Sequence, residues 1–117
     1  MAASYIPEAG DIVWLHFNPQ AEHELAGHRP ALVVSPAAYN AKTGLMLCCP
    51  ITSKIKGYPF EVIVAASLAS RANPASVVLA DQIKSLDWVA RKTSFKAKIT
   101  IAQLEEIRKK ATLLIAG

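Results

Sequence analysis

The sequence predicts a mainly β protein of the α+β class: a small, barrel-like sheet of mostly antiparallel strands followed by one amphipathic C-terminal helix. Three observations carry that expectation. Short segments rich in Val, Ile and Leu recur along the first two thirds of the chain, bounded by Pro, Gly or Asn. The links between them are too short for the helical crossovers that parallel strands need. The period then changes, with Leu104, Ile107, Ala111, Leu114 and Ile115 recurring at helical spacing.

Residues 12–17 form the first expected strand. Val13, Leu15 and Phe17 share one face and Ile12, Trp14 and His16 the other, so both faces are largely apolar and call for cover on both sides. Asn18-Pro19 ends it, and residues 20–28 have no period and read as a loop. Residues 30–35 are the second strand, closed by Pro36, and residues 39–44 read as a turn. The third strand covers residues 45–51, and Pro50 inside it demands a strand end, an edge or a bulge. A second polar loop follows over residues 53–59. Residues 60–65 are the fourth strand, 66–76 a loop with Asn73-Pro74, and 77–80, 82–86 and 95–99 shorter strands. Thr100 with Gln103 three residues on fits a capping box at the start of the last helix. Glu105–Lys109 and Glu106–Lys110 are i,i+4 pairs in the favourable order.

The 117 residues are read as one domain, 1–117. A hydrophobic share of 52% with 19% charged residues excludes a disordered chain. Thirteen Lys and Arg against nine Asp and Glu leave +4, which suits an anionic partner. The longest apolar runs are strand-sized, far below the roughly 20 residues of a membrane span. The opening MAASYIPEAGD has neither the basic nor the apolar region of a signal peptide. Cys48 and Cys49 are adjacent, so they point to opposite faces of a strand; two buried thiols in a reducing, cytoplasmic compartment are expected.

The carboxylates are scattered, without the close pair of a two-metal nuclease. His16, His23 and His28 lie near Glu24 but lack a recognised ligand spacing. Neither a phosphate loop, a dinucleotide fingerprint nor a serine elbow is present, so no metal or cofactor is expected.

Two polar segments hold the candidates. In Gly27-His28-Arg29-Pro30, the proline biases Arg29 to extended backbone and holds it at the mouth of a strand. Past the third strand come Thr52, Ser53, Lys54 and Lys56. If these strand ends are neighbours, they make a phosphate cradle: a guanidinium fork, a short hydroxyl donor and two ammonium groups. Glu24 could accept a proton or orient the guanidinium. On spacing alone, a solvated arginine, a turn-forming threonine and a solvent-facing lysine pair are the commoner roles of such residues.

Four stretches then resemble one family in the right order: Gly10-Asp11-Ile12-Val13-Trp14, Gly27-His28-Arg29-Pro30-Ala31-Leu32-Val33-Val34-Ser35-Pro36, Lys56-Gly57-Tyr58-Pro59-Phe60-Glu61-Val62 and Ala80-Asp81-Gln82-Ile83-Lys84-Ser85-Leu86-Asp87-Trp88. They resemble the MazF/PemK family of toxin endoribonucleases, from about Tyr5 to the C-terminal helix. The resemblance implies an SH3-like barrel, a homodimer, an acidic antitoxin encoded alongside, and metal-independent cleavage of single-stranded mRNA at short sequences, halting translation and growth. By position, the family's catalytic Arg falls on Arg29, its catalytic Thr on Thr52 and its active-site-loop Glu on Glu24. His28 is a second candidate for the base. Ser53, Lys54, Lys56 and His23 are candidate RNA contacts, and Trp14, Tyr39, Tyr58 and Trp88 candidate stacking faces. The loop before the Gly-His-Arg-Pro motif varies in the family, so the cleavage sequence does not carry over. Residues 65–76 are longer than in the family's shorter members.

The implied chemistry is self-consistent. RNA carries its own nucleophile, the 2′-OH beside the scissile phosphate, and intramolecular attack needs mainly positioning and charge stabilisation. The products would be a 2′,3′-cyclic phosphate and a 5′-OH. Two alternatives compete: a toxin of the same fold that inhibits DNA gyrase, and a non-catalytic RNA- or peptide-binding barrel or a toxin that has lost activity. The gyrase branch relies on an aromatic residue near the end of the last helix, whereas this chain ends Leu113-Leu114-Ile115-Ala116-Gly117. The presence of both Arg29 and Thr52 speaks against the second.

Overall fold

A computed structural model describes residues 5–16, 28–64 and 76–117. Strand β1 (Asp11–His16) is followed by β2 (His28–Val33), helix α1 (Ala37–Thr43), β3 (Leu45–Thr52), β4 (Glu61–Val64), β5 (Ser76–Leu79), β6 (Lys84–Asp87), β7 (Ser94–Lys98) and helix α2 (Ile101–Ala116). The strands form a curled sheet, a half-barrel, in the order β4-β5-β3-β2-β1-β7, with β6 added on β3. All the pairings among the described residues are antiparallel. The α+β, mainly β expectation is met.

Both faces of the sheet are apolar because most strands alternate two hydrophobic sets. One face gathers Ile12, Leu32, Cys49, Val62 and Val78 under Ile107 of α2. The other gathers Val13, Leu15, Ala31, Val33, Met46 and Cys48, covered by Tyr5, Leu86 and Trp88. Cover on both sides of β1 is what its pattern required. Cys48 and Cys49 go to opposite clusters, and burial pushes both thiols up to about 12.

Strand β3 is the hub. It pairs with β2 on one side through Cys48–Pro50, and on the other with β6 through Leu45–Cys48 and then with β5 through Ile51 and Thr52. Pro50 falls where β6 has ended and β5 has not begun. The missing amide hydrogen of proline is tolerated at such a change of partner.

Residues 39–44, read from sequence as a turn, instead belong mostly to α1, closed by Gly44 at a left-handed φ of 74°. The reason is tertiary. Asn40 is fully buried, and its Nδ2 donates to the carbonyls of Pro7 (2.8 Å) and Ser35 (3.1 Å). Its Oδ1 accepts from the Ser35 hydroxyl at 2.6 Å, and its backbone carbonyl from Trp88 Nε1 at 2.9 Å. An asparagine that reads locally as a turn former is here the anchor of a helix.

Helix α2 begins as expected: Thr100 Oγ1 accepts from Gln103 N (3.1 Å) and Gln103 Oε1 from Thr100 N (3.2 Å), a full capping box. Glu106 and Lys110 lie 3.6 Å apart. The apolar stripe is buried only at Ile107 and Ala111; Leu114 and Ile115, expected on the covered side, are 54% and 75% exposed. Among the described residues no helix is long and apolar enough to cross a membrane.

Candidate functional site

The antiparallel register of β2 and β3 sets Val33 opposite Cys48, Leu32 opposite Cys49 and Ala31 opposite Pro50. Two residues beyond that last pair stand Arg29 on β2 and Thr52 on β3. Alternation puts both on the face of Ala31, since side chains two apart share a side. On its other flank Arg29 is registered with Leu15, a member of the same face's cluster, and Thr52 with Val77 of β5. A guanidinium stem and a hydroxyl therefore rise from one face at adjoining strand ends. Arg29 is exposed and Thr52 half-buried.

Thr52 Oγ1 accepts the Lys54 amide at 3.1 Å, a short turn that leaves the hydroxyl hydrogen to donate elsewhere. It opens a groove of ≈ 170 Å³ lined chiefly by Thr52, Lys54, Lys56, Tyr58, Glu61 and Gln82. Ser53 is exposed beside it. The loop that carries the lysines is fastened at three points. The Glu61 carboxylate accepts the amides of Lys56 (2.9 Å) and Gly57 (2.8 Å). The Tyr58 hydroxyl donates to Asp81 at 3.0 Å. Lys110 of α2 donates to the Pro59 carbonyl and, at 3.4 Å, to that of Glu61. Gly57 has φ +84°, which a side chain would strain. Glu61 and Gln82 were not singled out from the sequence as site residues; their only local signal is membership of the two later motifs.

The other described candidates are placed elsewhere. His28 precedes Arg29 and so points to the opposite face. Its ring stacks on Trp14 with centroids 5.2 Å apart, lies 5.0 Å from His16, and Lys96 sits 5.0 Å over Trp14. Trp88 belongs to the core, through Asn40 and the Met46 cluster. Tyr39 is exposed on α1. Glu24 and His23 lie outside the described residues. Among the described residues no group of three or more His, Cys, Asp or Glu gathers to hold a metal ion.

A family profile described as PemK-like, MazF-like toxin of type II toxin–antitoxin system matches residues 8–115. The chain belongs to this family. It is 44% identical over 115 residues to the endoribonuclease toxin MazF of Escherichia coli K12, covering 98% of this chain and 99% of that one. Its structure resembles crystalline MazF from Deinococcus radiodurans with a TM-score of 0.83 and 51% identity, over 97% of this chain and all (100%) of that one. It resembles the MazE–MazF complex from the same organism with a TM-score of 0.81 and 47% identity, over 96% and 97% of the two chains. For a PemK/MazF-like toxin, the resemblance read from the four motifs is thus met over nearly the whole chain.

Proposed function

We propose that this toxin is an endoribonuclease that cuts single-stranded mRNA without a metal, with Arg29 and Thr52 holding the scissile phosphate. The observation that supports this most is their placement on one face, two residues past the last β2–β3 pair. The 2′-OH of the nucleotide before the phosphate attacks phosphorus as the base takes its proton, the bond to the 5′ oxygen breaks, that oxygen takes a proton from water, and a 2′,3′-cyclic phosphate and a 5′-OH result. Arg29 offers a fork of donors to the charge that grows on the equatorial oxygens, and Thr52 a single hydroxyl donor. Glu24 is the proposed base. His28, pointing to the other face and stacked on Trp14, is the weaker choice. Ser53, Lys54, Lys56 and His23 attract the strand, the lysines by charge alone.

The proposal includes a cytoplasmic single-domain chain acting as a homodimer and silenced by an acidic antitoxin; the solved MazE–MazF complexes support the antitoxin part alone. No observation favours the gyrase-directed alternative, and the relatives compared carry ribonuclease names.

The test is incubation of the purified protein with mixed RNA in EDTA, beside Arg29→Ala and Thr52→Ala. Cutting that survives chelation, leaves cyclic phosphate ends and falls by about 10²–10³ in each variant is expected. Cutting that needs added metal, or that either variant retains in full, overturns the mechanism.

A further inference from the structure

We propose that Glu61 is a positioning residue for RNA, acting through the lysine-bearing loop between β3 and β4. The inference rests on the ribonuclease reading above. Its ground is an apparent contradiction. A groove meant for a polyanion is lined by a carboxylate, which by charge alone would repel the strand. Yet that carboxylate is committed inward. Both of its oxygens are taken, one by the amide of Lys56 and one by that of Gly57, at 2.9 and 2.8 Å. Two successive amides converging on one anion form a nest, and here the protein fills the nest with its own side chain.

The consequence is mechanical. Glu61 begins β4, whose register with β5 runs Glu61–Leu79 to Val64–Ser76, so the carboxylate is anchored to the sheet. It grips the loop at the residue that carries one of the two ammonium groups. The Tyr58–Asp81 bond and the Lys110 contact to Pro59 hold the same loop from two further sides. The loop that bears Lys54 and Lys56 is thereby set beside Thr52 before any RNA arrives, and the cost of ordering it is met in folding rather than in binding.

Charge and position predict opposite signs, which makes the idea testable. On electrostatics alone, deleting Glu61 removes a repulsion and lowers KM. On positioning, deletion frees the loop and raises it. The wild type, Glu61→Ala and Glu61→Gln would be compared on an oligoribonucleotide carrying a mapped cleavage site. Glu61→Ala is expected to raise KM about fivefold or more with kcat within about twofold, and Glu61→Gln, whose amide oxygen still accepts one backbone N–H, to fall between. In amide exchange, Lys56 and Gly57 should lose protection in Glu61→Ala.

A KM that is unchanged or lower in Glu61→Ala, or unaltered exchange at those amides, overturns the proposal while leaving the ribonuclease reading intact. Failure of the wild type to cut RNA overturns both. Should Glu61→Ala not fold, Tyr58→Phe deletes only the Asp81 fastening, and a KM equal to the wild type's counts against the loop's role.

Discussion

Replacing Asn40 by alanine tests whether α1 is held by its tertiary anchor rather than by its own sequence. Three side-chain hydrogen bonds disappear: to the Pro7 carbonyl, to the Ser35 carbonyl and from the Ser35 hydroxyl. All the groups involved are buried, so water does not readily replace the amide. The Ser35 hydroxyl is partly spared, because its oxygen also accepts the Leu47 amide at 2.8 Å. At about 1 kcal/mol net for each bond, and more where a carbonyl is left bare, the loss is about 3 kcal/mol. Unfolding entropy of about 2.1 cal/mol/K per residue gives about 0.25 kcal/mol/K for a chain of this length, so Tm should fall by about 12 °C. Calorimetry at fixed protein concentration reads this directly. Lys42→Ala, at an exposed position of the same helix, should stay within about 0.5 kcal/mol. A fall of less than about 3 °C for Asn40→Ala, or an equal fall for both variants, would refute the anchoring.

Thr100→Ala removes both the hydroxyl acceptor at the head of α2 and the reciprocal geometry with Gln103; a loss of about 1 kcal/mol is expected in denaturant unfolding, and no loss would mean the cap is redundant. The two thiols, raised by burial to about 12, should resist a thiol-specific reagent at neutral pH and react at once on denaturation. Because their folded pKa values lie above the unfolded ones, they stabilise fully below about pH 9, and that share is lost as pH climbs towards 12; a stability curve flat across that window would contradict it.

Alternation and turn residues made the strands legible, because burial on a sheet writes a period of two into the sequence. The second strand was displaced: residues 30–35 were expected and His28–Val33 observed. His28 and Arg29 enter the ladder through backbone pairing with His16 and Leu15, which no side-chain pattern announces. The carbonyl of Val34, just past the strand, is instead taken by Arg108 of α2. Helix α1 was hidden for the same reason, since its key asparagine is satisfied by residues as distant as Pro7. Arg29 and Thr52 were each visible as candidates, but that they share a face follows only from the β2–β3 register, a property of two segments together. The fastenings of the lysine loop were illegible because Asp81 and Lys110 come from other parts of the chain. The amphipathic stripe of α2 showed which residues could be covered, not how far the sheet beneath extends.

Because β3 is braced by three neighbours, the alcohol at its tip inherits the stiffness of the sheet's centre. The loop that follows adds one tie, the Lys54 amide on the Thr52 hydroxyl oxygen, and does not have to set the backbone position. If Thr52 holds the scissile phosphate as proposed, substitutions in loops outside the β3–β4 segment would change which nucleotides are read while that hydroxyl stays put, a division between a fixed anvil and exchangeable jaws.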